Sequence, residues 1–219
     1  MRKDMLNMSK ALIVWGGWDG HEPKQVAEIL ARQLEGNGFE VEVSDTLDSL
    51  KDQARLESLD LIVPQWTMGT IEKEQLEPLL AAVKNGTGIA GLHGGMGDSF
   101  RQEVEWQWMV GGQWVAHPGN DTVTYDVNVI DLDHDITQGV EDFTTTSEQY
   151  YMHVDPANHV LAVTLFGHVA MPVAWTKRWG EGRVFYSSMG HVAKTLSEPM
   201  PLKLMTQGML WAAGVARDS

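Results

Sequence analysis

The chain has 219 residues, a formal net charge of −14 and no cysteine. That length suits one large domain, which buries roughly 70% of its unfolded surface and folds without covalent staples. Lack of cysteine excludes disulfides, thiolate ligands and thiol nucleophiles, so any metal must be held by His, Asp or Glu, and the acidity argues against nucleic acid as a partner.

The first ten residues, Met1 to Lys10, carry basic side chains but no apolar stretch of signal-peptide length. They are expected to form an N-terminal tail ahead of a single domain over residues 11–219. No apolar run approaches the ~20 residues needed to cross a bilayer, so a cytoplasmic protein without membrane contact is expected.

Ala11 to Trp15 is a continuous apolar run ending at Gly16 and Gly17, the pattern of a strand buried on both faces. A helix comes next, with Pro23 in its first turn, Val26, Ile29, Leu30 and Leu34 at helical spacing, and Gly36 and Gly38 closing it. Phe39 to Val43 alternates as a second strand, and Leu59 to Val63 is a third, predicted to end at Pro64. Glu72 to Lys84 reads as a helix, and Gly88 to Leu92 as a fourth strand running into His93, Gly94 and Gly95. Strands alternating with helices imply right-handed crossovers and a mostly parallel sheet. From Thr122 the pattern changes. Thr122 to Ile130, Val160 to Phe166, Pro172 to Thr176 and Arg183 to Ser187 predict additional, partly antiparallel strands, and a helix closes the chain from Pro201 to Ala213.

Ligands bind outside the carboxyl ends of the strands in open α/β sheets. After the first strand, His21 and Glu22 sit beside a helix N-terminus, where His21 serves either the pocket or only the cap. Gln65, Trp66 and Thr67 come after the third strand; Trp66 either stacks on a sugar ring or lids the core. Gly91-Leu92-His93-Gly94-Gly95 has the small flanking residues of a nucleophile elbow, the strained strand-to-helix turn that exposes its central side chain. That side chain is an imidazole, suited to be general base, metal ligand or substrate donor, against the competing reading of a buried structural histidine. His191 again lies just past a strand, His117 lies in a Gly-rich loop, and Glu148 to His153 offers a carboxylate and phenols. His134 looks like turn and capping chemistry, and His159 and His168 have no special context. No His-x-x-x-His spacing is present, so a metal cluster can only be assembled through the fold.

Gly111–Pro118, Asp133–Gly139, Glu148–Tyr151 and Gly182–His191, in that order and spacing, resemble the trehalose-utilisation (ThuA-like) family. This is a branch of the class I glutamine amidotransferase-like superfamily, and the likeness runs from about Ala11 to Gly214. Asp135 departs from it, standing where the family usually has Pro, a change expected to alter a turn and not the pocket. The resemblance implies an α/β, flavodoxin-like three-layer sandwich with its site at the elbow. In the amidotransferases the elbow carries Cys; here it carries His93, so amidotransfer by that mechanism is excluded.

Together, the resemblance and these residues imply an enzyme of carbohydrate catabolism acting on a sugar or keto-sugar by hydrolysis or isomerisation. His93 and His191 take the base and acid roles or hold a divalent cation, zinc or manganese, with Glu148 as their carboxylate partner. His21 and His117 orient the substrate, Gly94 lies beside it, and Trp66 and Tyr151 stack or donate. No nucleotide or flavin is expected. The contrasting reading is a non-catalytic carbohydrate-binding or regulatory protein. A homodimer fits a load of nine Trp and twelve Met.

Overall fold

The computed structural model describes residues 8–215; of the N-terminal tail expected over residues 1–10, the first seven lie outside the described residues. Ser9 and Lys10 already belong to the first strand, β1 (Ser9–Gly17). The chain then runs through α1 (Pro23–Gly36), β2 (Phe39–Ser44), α2 (Gln53–Glu57), β3 (Leu61–Thr67), α3 (Lys73–Lys84) and β4 (Gly88–Leu92). Next come α4 (His93–Gly97), α5 (Val104–Val110), β5 (Gly112–Ala116), β6 (Val123–Val129), β7 (Phe143–Ser147) and β8 (Tyr151–Val154). The last elements are β9 (His159–Phe166), β10 (Val169–Trp179), β11 (Gly182–Ser187), α6 (Ala193–Leu196) and α7 (Pro199–Ala212).

Nine strands form one sheet in the order β2-β1-β3-β4-β11-β10-β9-β6-β7, while β5 and β8 pair as a separate antiparallel ribbon. The five strands from β2 to β11 are parallel, and β10, β9, β6 and β7 extend the sheet antiparallel. Within β1 the side chains divide by parity. Ala11 and Ile13 enter one core with α1 and α7, whereas Leu12 and Val14 enter the other with α3 and α5. That alternation is why the run is apolar throughout: both faces of the strand are covered by helices. On α1, Val26, Leu30 and Leu34 recur every four residues and are fully buried, each leucine contributing ~1.5–3 kcal/mol of transfer free energy.

Two expectations need correction. The third strand does not stop at Pro64. It continues through Gln65, Trp66 and Thr67, which pair with Trp15, Gly16 and Gly17 of β1. Pro64 lies past the last β3–β4 pair, Ile62 with Ile89, so its missing N–H falls where the ladder to β4 has already ended. The last strand, β11, is not merely an antiparallel addition: it lies parallel to β4 and antiparallel to β10, joining the two halves of the sheet.

Candidate functional site

Four strand ends converge on one buried group of side chains. The backbone turns sharply where β4 meets α4, and His93 takes φ 46°, a left-handed conformation costing of order 1–3 kcal/mol in a non-glycine residue. The glycines just beyond it allow close approach. A Cβ on Gly94 would fall 2.5 Å from His21 Cε1, and one on Gly95 would fall 2.1 Å from Gln65 Oε1. The elbow geometry expected from the sequence is therefore present, with an imidazole at its apex.

His93 is 1% exposed and packs face to face on Tyr150, ring centroids 4.0 Å apart. Its Nδ1 donates to the carbonyl oxygen of Ser188 at 2.8 Å, just after β11. A carbonyl only accepts, so the proton sits on Nδ1 and the neutral ring turns a bare Nε2 inward. That nitrogen lies 3.0 Å from Glu148 Oε2 and 3.3 Å from His191 Nδ1. His21, in the turn after β1, uses its Nδ1 to meet Thr67 Oγ1 at 2.8 Å, and its Nε2 lies 3.9 Å from the same Glu148 oxygen. His191 Nδ1 stands 3.3 Å from that oxygen as well. The ligating atoms of His21, His93, Glu148 and His191 all lie within 4.8 Å of one another.

The electrostatics of this group favour a cation. Burial pushes the His21 imidazole down to about 3, helped by the neighbouring rings of His93 and His191. Burial also lowers His93, outweighing the pull of Glu148 and the Ser188 carbonyl in the other direction. For Glu148, burial acts upward, but the imidazoles of His191 and His93 against its carboxylate overcome this and hold it below the ordinary range. An ionised Glu148 carboxylate thus faces the bare Nε2 of His93, and adjacent lone pairs repel unless a proton or metal ion lies between them. A divalent ion with bonds of ~2.0–2.1 Å spaces tetrahedral ligands about 3.3 Å apart, close to the 3.0–3.3 Å among His93, His191 and Glu148, while His21 stands farther off, 3.9 Å from Glu148. Anchoring of His93 and His21 through their outer nitrogens is also how metal-binding imidazoles are oriented. These four residues could hold a metal ion.

Above the group opens a cavity of about 410 Å³ lined by Trp18, Met68, Arg101, Trp114, His117 and Asn120, among others. Trp18 stands edge-on to His21 at 4.8 Å, and Arg101 lies 4.8 Å over the Trp114 ring. Asp98 holds Arg101 through two hydrogen bonds of 2.6 and 2.7 Å. His117, partly exposed beyond β5, places its Nδ1 3.6 Å from Glu148 Oε1. Glu22 reaches across from the start of α1, its carboxylate accepting the Ala193 amide at 3.0 Å and tying the His191 segment to the His21 turn.

The chain is a member of a known family: the profile described as trehalose utilisation (ThuA) matches residues 10–212. It belongs to the ThuA family. Proteins described as ThuA-like, from Bacteroides uniformis and Parabacteroides merdae, superpose with TM-scores of 0.78 and 0.76 at 17% identity. They cover 93% and 97% of this chain and 91% and 92% of their own. A β-galactosidase from Rahnella sp. R3 matches with a TM-score of 0.67 at 15% identity, over 95% of this chain but 32% of that one. At such identities the likeness is one of fold. A search among curated proteins finds no match.

Within this ThuA chain, His21, His93, Glu148, His191 and His117 come together as the sequence suggested, with Gly94 packed against His21. Trp66 and Tyr151 do not join them. Trp66 covers Gly16 and Gly69 and packs on the apolar core, while Tyr151 packs edge-on to Phe166 at 5.2 Å. Tyr150 takes the place expected for Tyr151. Neighbouring residues in extended backbone point to opposite sides, and Tyr150 shares the parity of Glu148. The same parity rule separates Thr67, which binds His21, from Trp66. Trp18 and Trp114 form aromatic walls that sequence reasoning passes over; Trp18 lies in the glycine-flanked turn already singled out for His21. Asp98 and Arg101, three residues apart, leave no distinctive signal. His134 is a cap, as expected, its Nδ1 accepting the Ile136 amide at 3.1 Å.

Proposed function

We propose that this protein is an enzyme of carbohydrate metabolism that binds a sugar or keto-sugar in the cavity above His93. On this reading it hydrolyses or isomerises its substrate with the help of a divalent metal ion, zinc or manganese. The observation that carries the proposal is the convergence of three imidazoles and one carboxylate, drawn from four separate segments, at the floor of an aromatic-walled cavity. A binder needs aromatic faces and amides; it has no need for buried ionisable groups whose proton affinities are shifted this far.

His21, His93, His191 and Glu148 would hold the ion, which when bound polarises a carbonyl or lowers the pKa of a bound water. Trp18 and Trp114 offer apolar surface to the faces of a sugar ring, and Asn120 and the Asp98–Arg101 pair offer partners for its hydroxyls. His117, beside Glu148 and open to the cavity, is placed to move a proton to or from substrate oxygen. In hydrolysis, water adds its OH to the anomeric carbon as the C–O bond breaks, and its proton passes to the departing oxygen. In isomerisation the same proton carrier moves hydrogen between neighbouring carbons by way of an enediol.

The fold is read as a single domain of the flavodoxin-like three-layer type, cytoplasmic and without nucleotide or flavin. No helix among the described residues is long and apolar enough to cross a membrane. The deciding experiment is elemental analysis of untagged, chelator-free protein beside His93→Ala and His191→Ala, then a sugar panel read for both binding and product. Near-stoichiometric metal, lost in both variants together with turnover, is the expected result. Full turnover in His93→Ala refutes the assignment, and binding without turnover of any aldose, ketose or keto-glycoside makes the protein a carbohydrate binder.

A further inference from the structure

Four protein donors around a tetrahedral ion leave it no free position, the arrangement of structural sites; catalytic sites keep three protein donors and one open corner. A catalytic role for this group therefore requires one of its four side chains to yield. The geometry separates them. His93 Nε2, His191 Nδ1 and Glu148 Oε2 form a nearly even triangle with sides of 3.0, 3.3 and 3.3 Å, already at the spacing of ligands on one ion. His21 Nε2 stands 3.9 Å from the same Glu148 oxygen and has to move inward to complete the fourth corner.

The outer anchors also differ in kind. The Ser188 carbonyl only accepts, so it keeps the proton of His93 on Nδ1 and leaves Nε2 permanently bare. The buried Tyr186 donates to the backbone carbonyl of His93 at 3.0 Å, and the buried Tyr125 to that of Glu148 at 3.1 Å, which fixes the chain behind both donors. His21 instead meets the Thr67 hydroxyl at 2.8 Å, and a hydroxyl donates as readily as it accepts. Its neutral ring is free to carry the hydrogen on either nitrogen, so Nε2 offers a lone pair to an ion or an N–H to another ligand. His21 also lines the aromatic-walled cavity beside Glu148 and His191, which His93 does not. Trp18, edge-on to His21 at 4.8 Å, is itself exposed, so the imidazole gains room on that side without disturbing the core.

We infer that His93, His191 and Glu148 are the permanent ligands and that His21 is the exchangeable one, ceding its position to a small ligand that enters from the cavity. This exchange rests on the metal ion proposed for the group and adds to it which side chain opens the ion to substrate.

The test takes wild type, His21→Ala, His21→Gln and His93→Ala through two measurements: zinc affinity against a competing chelator, and the visible bands of cobalt-loaded protein titrated with azide. His93→Ala should lose its metal. Both His21 variants should keep stoichiometric zinc with affinity lowered about 10–100-fold, the cost of a supporting partner and not of a permanent ligand. Azide should shift the cobalt bands of wild type and bind about tenfold more tightly to His21→Ala, where nothing competes for the position. Loss of metal from folded His21→Ala as complete as from His93→Ala overturns the exchange, and so does azide binding that is equal in the two or absent from wild type. Should His21→Ala fail to fold, His21→Gln decides by the same readings. Wild type that takes up neither zinc nor cobalt overturns the metal-binding role itself.

Discussion

Gly94→Ala tests the packing that places His21. The added Cβ would lie 2.5 Å from His21 Cε1, 2.8 Å from its Nδ1 and 2.9 Å from Thr67 Cγ2. Relief to an ordinary contact of 3.4 Å requires the ring to retreat by about 0.9 Å, and Thr67, its hydrogen-bond partner, is pressed from the same point. Overpacking of this kind costs ~1–3 kcal/mol, offset by at most ~1 kcal/mol from replacing a helical glycine. The net loss of ~1–2 kcal/mol corresponds to a fall in Tm of about 2–8 °C for a chain of this size. Displacing one ligand from the group should also weaken metal binding by about 10–100-fold. Thermal melts and a zinc titration against a competing chelator measure the two effects separately. Gly36→Ala is the control, because a Cβ there meets nothing within 4 Å. An unchanged Tm together with wild-type zinc affinity in Gly94→Ala would refute the packing argument.

The same geometry sets three further outcomes. Glu22→Ala should weaken metal binding and activity by about tenfold or more, because the Ala193 amide loses its acceptor and the His191 segment its tie; Glu22→Gln, which keeps an acceptor oxygen, should recover most of both. Tyr150→Leu should lower activity through the loss of the ring stacked on His93, whereas Tyr151→Leu should cost only stability; equal losses of activity would contradict the geometry. For metal-free protein, the depressed His21 makes the unfolded chain bind the extra proton between pH 6.5 and about 3, so stability falls as pH drops through that window. Glu148, also depressed, contributes stability above its unfolded value that is lost on further acidification. Together they set a loss of a few kcal/mol, and His21→Phe should flatten the melting temperature between pH 6.5 and 4.

Much of the parallel half is legible because the inner strands β1, β3 and β4 are buried on both faces, while the edge strand β2 alternates. Leu92-His93-Gly94 shows the clearest case: a short apolar run that gives way at once to glycines leaves little room except for a sharp turn, and His93 marks its apex. Pro64 misleads because a proline in a strand is forbidden only where its neighbour needs the N–H, a fact of pairing that no local pattern records. The β5–β8 ribbon escapes local reading for a similar reason. Its strands are short, and Gln113, Trp114, Met152 and His153 pair across a gap of some forty residues. Preferring Tyr151 to Tyr150 is an error of parity between adjacent, chemically equal residues. The convergence itself is beyond local reading, since His93 meets Glu148 at a separation of 55 residues and His191 at 98.

The placement of β11 has a consequence for how the protein comes into being. This strand is the last of the sheet to be synthesised, yet it lies between β4 and β10, in the middle of the sheet. Until it docks, β4 has an open flank, His93 lacks the Ser188 carbonyl that sets its tautomer, and His191 is not yet in place. A chain interrupted in synthesis before that strand, or clipped behind it, therefore carries the elbow but has no means of gathering the four donors around one point. The four donors thus gather only once the chain through His191 has docked into the sheet.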